Sequence, residues 1–208
     1  AIIYFRKEIL NIIKGLKPGN YSNKSFQQVS NIILATLPIL FCGYFLRSFV
    51  DDSLRSSEVI AYATIFFGLI LFISDRSQIK SDSLDSITSI QALYIGLSQC
   101  LALIPGTSRS GITISTALLL GIGKETASKF SFLIAIPTIG AITISEVIAI
   151  DYENLHTESN QLLLSCFIAF IVAYLTIGTF LKFIKKLSFT PFVLYRIILG
   201  SLILIFWV

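Results

Sequence analysis

The segment Pro105–Gly111 reads PGTSRSG and interrupts an otherwise apolar stretch that runs from Ser89 to Ile122. It combines a proline, two glycines, three hydroxyl side chains and the charged Arg109. A charge at membrane depth costs at least ~2.5–3.5 kcal/mol, and such residues are functional by default. A break in a membrane helix is tolerated only where it is buried in protein or lines a wet cavity. The segment therefore indicates a site for an anionic group inside a membrane protein.

The composition of the chain is that of a membrane protein. Of its 208 residues, 54% are hydrophobic and 13% are charged, whereas about 25% of the residues in a soluble domain are charged. A membrane span needs about 20 mostly apolar residues. Apolar blocks near that length are Ile32–Val50, Val59–Ser74, Phe130–Ile150, Leu162–Phe183 and Phe192–Val208. With the end of a further span in residues 1–14, we expect a single all-α, polytopic membrane domain over residues 1–208, with about six transmembrane helices.

Basic residues are concentrated in the connecting segments 6–24, 75–85, 124–129 and 182–186. Twelve of the 16 Lys and Arg residues lie there: Arg6, Lys7, Lys14, Lys17, Lys24, Arg76, Lys80, Lys124, Lys129, Lys182, Lys185 and Lys186. The opposite segments, 47–58 and 151–160, hold two arginines and six acidic residues. By the positive-inside rule the first set is cytoplasmic. The net charge of +4 thus reports topology and does not indicate a nucleic-acid partner.

The two segments that flank Ser89–Ile122 both carry the cytoplasmic signature, so this stretch must return to the side from which it enters. We expect a re-entrant hairpin over residues 87–123, made of two half-helices with the tip near mid-membrane. Pro105 is predicted to end the first half-helix, because proline lacks an N–H and restricts the residue before it. Ser108 or Ser110 is the candidate N-cap of the second half-helix.

The tip has the chemistry of an anion-binding cradle. A helix N-terminus offers free N–H groups and a partial positive charge, and Arg109 adds a planar fork that suits phosphate oxygens. Gly106 and Gly111 let the backbone approach a ligand closely. Hydroxyl groups come from Thr107, Ser108, Ser110 and Thr113. Close helix packing is the competing interpretation of such hydroxyls, and on the residues alone it is the favoured one for Thr113, Ser115 and Thr116.

The remaining polar residues are less specific. Gln99 either faces the site or bonds a neighbouring helix, and Glu146 is predicted to be an interface acid rather than a catalytic one. Arg196 is predicted to pair with an acid or to extend its charge to the interface. His156, the only histidine, is predicted to be a solvated loop residue.

Cysteine usage does not indicate a disulfide framework or a metal site. The three cysteines lie in separate apolar segments and are expected to behave as small buried hydrophobic residues: Cys42, Cys100 and Cys166. The sequence contains no methionine and opens within an apolar run. We therefore expect it to be part of a longer protein.

Pro105–Gly111 with its flanks resembles the second signature of bacterial undecaprenyl-diphosphate phosphatases, the bacitracin-resistance proteins. The resemblance extends over essentially the whole chain, because three further segments resemble other parts of the same family: Tyr4–Lys7, Phe130–Pro137 and Ser188–Arg196. It implies two inverted repeats, each a re-entrant hairpin followed by three spans. Residues 1–84 would then be the remainder of the first repeat and residues 85–208 the second.

The resemblance implies hydrolysis of undecaprenyl diphosphate to undecaprenyl phosphate and inorganic phosphate in the bacterial inner membrane. This reaction recycles the lipid carrier of peptidoglycan synthesis and confers bacitracin resistance. Arg109 and Ser108 would be catalytic. The substrate-binding residues would be Gly106, Thr107, Ser110, Gly111, Thr113 and Gln99.

The resemblance also implies a divalent cation, Mg²⁺ or Ca²⁺, that bridges the phosphates. In the family, the first hairpin carries a glutamate-rich motif and a Ser-Ser-Thr-Gly-His string, and neither is present in this sequence. No metal ligand is therefore expected within these residues. The formation of a homo-oligomer is a further hypothesis.

Two other function classes stay open on the residues alone. A secondary transporter for a phosphate-bearing substrate uses the same inverted repeats and half-helix N-termini. A lipid phosphatase that works through a phosphohistidine is disfavoured, because His156 is the only histidine. The attacking group could be a serine, a histidine or a metal-activated water.

Overall fold

The structure, a computed structural model, describes residues 1–16, 22–149, 159–184 and 188–207. Within these ranges the chain forms eight α-helices and no strand beyond one isolated bridge. They are α1 (Arg6–Lys14), α2 (Asn23–Ser53), α3 (Ser57–Ser74), α4 (Ser89–Gln99), α5 (Arg109–Leu119), α6 (Lys124–Ala149), α7 (Ser159–Ile184) and α8 (Thr190–Phe206). Two short 3₁₀ helices cover Leu84–Ser86 and Cys100–Leu103.

Four of these helices, α2, α3, α6 and α7, are long and apolar enough to cross a membrane. Two shorter apolar helical stretches, Ser89–Leu103 and Thr190–Phe206, accompany them. The all-α, polytopic membrane class expected from composition is confirmed. The division into two inverted repeats stays a prediction.

The predicted re-entrant hairpin is visible in how its two ends meet. Ser81, ahead of α4, forms a parallel bridge with Ile122, just after α5. Lys80 N donates to the carbonyl of Gly121 at 2.7 Å, and Gly123 N donates to the carbonyl of Ser81 at 2.8 Å. The chain therefore leaves the hairpin at the end where it entered.

The first arm ends differently from the prediction. Its α-helical part stops at Gln99, six residues before Pro105, and a 3₁₀ turn continues the arm to Leu103. Ile104 then adopts an extended conformation with ψ 115°, as expected for a residue that precedes proline. Pro105 thus marks the turn itself rather than the last helical residue.

The hairpin packs in the centre of the molecule, with α2, α3 and α6 around it. Gly96 of α4 lies directly on the backbone of α2, where an added Cβ would come within 2.6 Å of the Ala35 Cα atom. Such close crossings are typical of membrane helices with small interface residues. Ile95, Ile114 and Ile134 from three different helices are buried in the same apolar cluster. This packing holds the two arms of the hairpin between α2, α3 and α6.

The described connections fall into two groups at opposite ends of the helices. At the inner end, Asp75 forms a 2.7 Å ion pair with Lys124 and accepts a 3.0 Å hydrogen bond from Phe189 N. At the outer end, Arg47 of α2 forms a 3.3 Å ion pair with Glu146 of α6. The pair agrees with the interface role expected for Glu146. The grouping matches the two predicted sets of loops, while their assignment to cytoplasm and exterior stays a prediction.

Some expectations fall on residues outside the described ranges. These include the loop 151–158 with His156, and the basic residues Lys17, Lys185 and Lys186.

One cysteine differs from the expectation of a buried thiol. Cys166 is exposed on α7, a helix whose apolar side chains are largely exposed. A membrane-spanning helix presents such side chains to lipid, so the Cys166 thiol can lie in an apolar environment without being buried in the protein. All three cysteines are free.

Candidate active site at the hairpin tip

The backbone of the tip adopts two left-handed conformations. Gly106 has φ 91°, and a Cβ at this position would collide with the carbonyl oxygen of Ile60 in α3. Ser108 has φ 67° and is the only described non-glycine residue with a positive φ. Such a conformation costs on the order of 1–3 kcal/mol and is typical of functional sites. The Ser108 Oγ atom accepts a 3.2 Å hydrogen bond from Gly111 N, so Ser108 rather than Ser110 is the N-cap of α5.

Arg109 is the first residue of α5, and a buried amide holds its side chain. Its Nε atom donates a 2.6 Å hydrogen bond to Oε1 of Gln99. Gln99 is fully buried, and its Nε2 atom donates to the carbonyl of Ala35 at 3.2 Å. The Nη2 atom of Arg109 is buried and has no hydrogen-bond partner within the described residues. A buried guanidinium donor without a partner is costly, so this end of the Arg109 side chain lacks the acceptor that an anion would supply.

Arg109 lies at the side of a cavity of about 760 Å³ between α2 and α6, which we call the outer cleft. Its polar lining consists of Tyr44, Arg47, Ser48, Asp51, Arg55, Arg109, Thr138, Ser145 and Glu146. Glu146 and Asp51 are each paired with an arginine, Arg47 and Arg55 respectively. Among the described residues this leaves Arg109 as the arginine of the cleft without a carboxylate partner.

A second cavity, of about 450 Å³, lies on the other face of the tip between α3, α5 and α8. We call it the lateral groove. Gly106, Ser108, Ser110 and Gly111 line it, and its walls are largely apolar. Successive residues of a helix project about 100° apart, so Arg109 and its neighbours face different cavities. The single cradle expected from the sequence is therefore divided between the outer cleft and the lateral groove.

Two of the predicted site hydroxyls are buried in the protein. The Thr113 Oγ1 atom bonds the carbonyl of Arg109 at 3.0 Å and the Ser131 hydroxyl at 2.7 Å. This contact joins α5 to α6. The Thr107 side chain is fully buried at the tip, and its Oγ1 atom has no partner among the described residues. Ser115 is also buried, as its expected packing role requires.

Arg196 contacts the hairpin tip, and the sequence analysis did not predict this contact. Its Nη2 atom donates to the carbonyl of Gly106 at 2.8 Å, and its Nε atom donates to the carbonyl of Thr64 at 3.1 Å. The expected acid partner or interface position is wrong for this side chain. Its place in α8 puts it about 9 Å along the helix, which is level with the tip. The available signal was the charge itself, within an apolar span.

Comparison with known proteins gives a match along nearly the whole chain. The sequence profile of the family described as bacitracin resistance protein BacA matches residues 1–202. A protein of Hahella chejuensis named undecaprenyl-diphosphatase is 40% identical over an alignment of 209 positions, which covers 99% of this chain and 78% of that protein.

Two further relatives carry the same name. The Saccharophagus degradans protein is 43% identical over 210 residues, with 97% of this chain and 76% of the relative covered. The Alteromonas mediterranea protein is 36% identical over 209 residues, with 99% of this chain and 79% of the relative covered. This chain belongs to the bacitracin resistance protein BacA family.

Proposed function

We propose that the protein is an undecaprenyl-diphosphatase, which hydrolyses undecaprenyl diphosphate to undecaprenyl phosphate and inorganic phosphate. Family membership and relatives of that name support this function. The structural observation that carries it is the guanidinium of Arg109, a donor that lines the outer cleft and has no carboxylate partner among the described residues. A diphosphate supplies the acceptor oxygens that this donor lacks.

Arg109 is the catalytic residue with the clearest role. Phosphoryl transfer depends on positioning and on neutralising charge on the equatorial oxygens of phosphorus. Because Gln99 occupies Nε, the Nη atoms are left to meet the phosphate oxygens. Gln99 thus orients Arg109, and Thr113 supports the first turn of α5 through Ser131.

Ser108 is proposed as the second catalytic residue. It is exposed, it caps α5 and it holds the strained turn next to Arg109. Gly106, Ser110 and Gly111 are proposed to contact the substrate from the lateral groove, and the buried Thr107 is proposed to support the turn beneath it. The N–H groups of the first turn of α5 favour an anion at this point.

The divalent cation, Mg²⁺ or Ca²⁺, stays part of the proposal on the family resemblance alone. The described residues hold no group of three or more His, Cys, Asp or Glu side chains that could bind it. The two acids of the outer cleft are each paired with an arginine. The described residues therefore do not form a metal site by themselves, and we assign no step of the reaction to the ion.

We propose that the protein acts in the bacterial inner membrane, where it recycles the lipid carrier of peptidoglycan synthesis and confers resistance to bacitracin. The outer cleft lies at the end that the charge distribution assigns to the exterior. The apolar polyprenyl chain of the substrate would lie against the apolar helix flanks. A homo-oligomer remains a separate hypothesis.

Phosphate release from a short-chain polyprenyl diphosphate, with the purified full-length protein in detergent, tests the function. Release that requires Mg²⁺ or Ca²⁺ and stops with chelator supports the enzyme and its cation. Arg109→Ala should lose the activity, whereas Arg76→Gln, an exposed arginine at the inner end, should keep it. Uptake of a phosphate compound into vesicles without hydrolysis would instead favour the transporter, a class that the names of the relatives do not favour.

A further inference from the structure

Arg196 donates a hydrogen bond to a backbone carbonyl of the hairpin tip, that of Gly106. The Gly106 oxygen accepts hydrogen bonds from Arg196 Nη2 at 2.8 Å and from Thr64 Oγ1 at 3.2 Å. The same guanidinium donates through Nε to the carbonyl of Thr64. Arg196 on α8 therefore connects the tip to α3, across 90 residues of sequence.

Two glycines make room for this contact. Gly68 of α3 faces the stem of Arg196, where an added Cβ would lie 3.3 Å from the Arg196 Cβ atom and 3.5 Å from Nε. Gly106 approaches α3 so closely that only a residue without a side chain fits. The guanidinium is thus held by a shaped space and does not merely lie along an apolar surface.

The charge of Arg196 has no carboxylate partner among the described ion pairs. A neutral donor could satisfy a carbonyl oxygen equally well. A charged group inside an apolar span is costly and marks function by default. Of the two carbonyls that Arg196 binds, that of Gly106 lies three residues before Arg109. The other belongs to Thr64 of α3, the helix that packs against α5.

We infer that Arg196 is a positioning residue of the phosphatase reaction. By bonding Gly106, it fixes the turn that continues through the strained Ser108 and aims Arg109 into the outer cleft. Gln99 holds Arg109 from the first arm of the hairpin. The inference rests on the proposed function, because it assigns Arg196 an effect on Arg109 in that reaction.

The kinetic test uses Arg196→Lys and Arg196→Gln in the full-length protein, with Arg76→Gln as the matched control. A lysine keeps the charge but cannot bridge both carbonyls. Both Arg196 variants should lower kcat roughly 10- to 100-fold, as for a small misplacement of a catalytic group, with KM little changed. Arg76→Gln should keep both constants. Near-native kcat in Arg196→Lys, or a loss confined to KM, would overturn the inference.

A double-mutant cycle separates positioning from a general structural role. If Arg196 acts through Arg109, adding Arg196→Gln to Arg109→Lys should lower kcat by less than about twofold, because residues that act as a unit are not additive. If the kcat of the double variant, per mole of folded protein, falls by the product of the two single losses, the inference is contradicted. Thr64→Val removes the second hydrogen-bond donor to the Gly106 carbonyl and should lower kcat by a smaller factor than the Arg196 variants do. This variant keeps the test decisive if Arg196 variants do not fold.

Hydrogen exchange supplies a readout that does not depend on activity. Backbone amides of residues 106–112 should exchange faster in Arg196→Gln than in the unchanged protein, because the turn loses its anchor. Arg76→Gln should leave them unchanged. Unaltered exchange in Arg196→Gln would overturn the inference while the phosphatase function stands. If exchange is faster in Arg196→Gln but the unchanged protein releases no phosphate, the proposed function is overturned instead.

Discussion

The Oε1 atom of Gln99 accepts a 2.6 Å hydrogen bond from the Nε atom of Arg109, and this bond joins the two arms of the hairpin at its tip. Gln99→Leu removes the acceptor and also leaves the carbonyl of Ala35 without this donor. We expect kcat to fall about 10-fold with a smaller change in KM, since Arg109 loses its orientation. Steady-state phosphate release measures both constants. Ser98→Ala, which affects only a bond within the same helix, is the control, and an effect limited to KM would indicate that Gln99 contacts the substrate directly.

Arg109 itself should not be replaceable by lysine. Arg109→Ala should lower turnover on the order of 10³-fold, comparable to the loss of an arginine that stabilises a transferring phosphoryl group. Arg109→Lys should recover little, because a lysine meets the diphosphate as a point charge.

Ser115→Ala is the internal control for Arg109, since it lies on the same half-helix. Its hydroxyl is buried without a partner among the described residues, so its removal should be neutral for stability and turnover. Turnover per mole of folded protein, with melting temperature as the check on folding, decides the comparison. A Ser115→Ala variant as damaged as Arg109→Ala would favour a purely structural break between two packed helices.

Ser108 allows the strain at the tip to be separated from the cap. Ser108→Ala removes the cap and should cost about 0.5–2 kcal/mol of stability, while it retains the positive φ of 67°. Ser108→Gly loses the same hydroxyl but accepts this φ without strain. Ser108→Gly should therefore melt at a higher temperature than Ser108→Ala in the same detergent, with activity reduced in both. Equal melting temperatures would show that the turn is not strained at this residue.

The topology can be tested at two positions on opposite ends of the molecule. Lys80 lies at the inner end beside Gly121, and Asp52 lies in the last turn of α2 near the outer end. In a cysteine-free background, a membrane-impermeant thiol reagent should label Asp52→Cys in intact cells and should label Lys80→Cys only after lysis. Labelling of Lys80→Cys from outside would reverse the orientation.

Much of the architecture follows from short-range patterns along the chain. Apolar blocks of spanning length predict the membrane helices, and the two basic segments around Ser89–Ile122 predict a hairpin that returns to its own side. The proline, glycines and hydroxyls of PGTSRSG predict the turn and a cap at Ser108 or Ser110, of which the structure selects Ser108. The cap and the turn depend on local propensity, and the spans and the hairpin depend on the cost of placing charge in lipid, so the order of residue types along the chain carries this information.

Tertiary packing alone decided which side chains share a cavity. Arg109 and Ser110 are adjacent in the sequence and project about 100° apart on the helix. The helices that pack around α5 form the outer cleft beside Arg109 and the lateral groove beside Ser110. The same holds for Gln99, whose partner could not be chosen from the sequence, and for Arg196, which bonds a carbonyl 90 residues away. A carbonyl oxygen gives no sequence signal, since every residue has one, so only the close crossing of α8, α3 and the hairpin tip selected Gly106 as its acceptor.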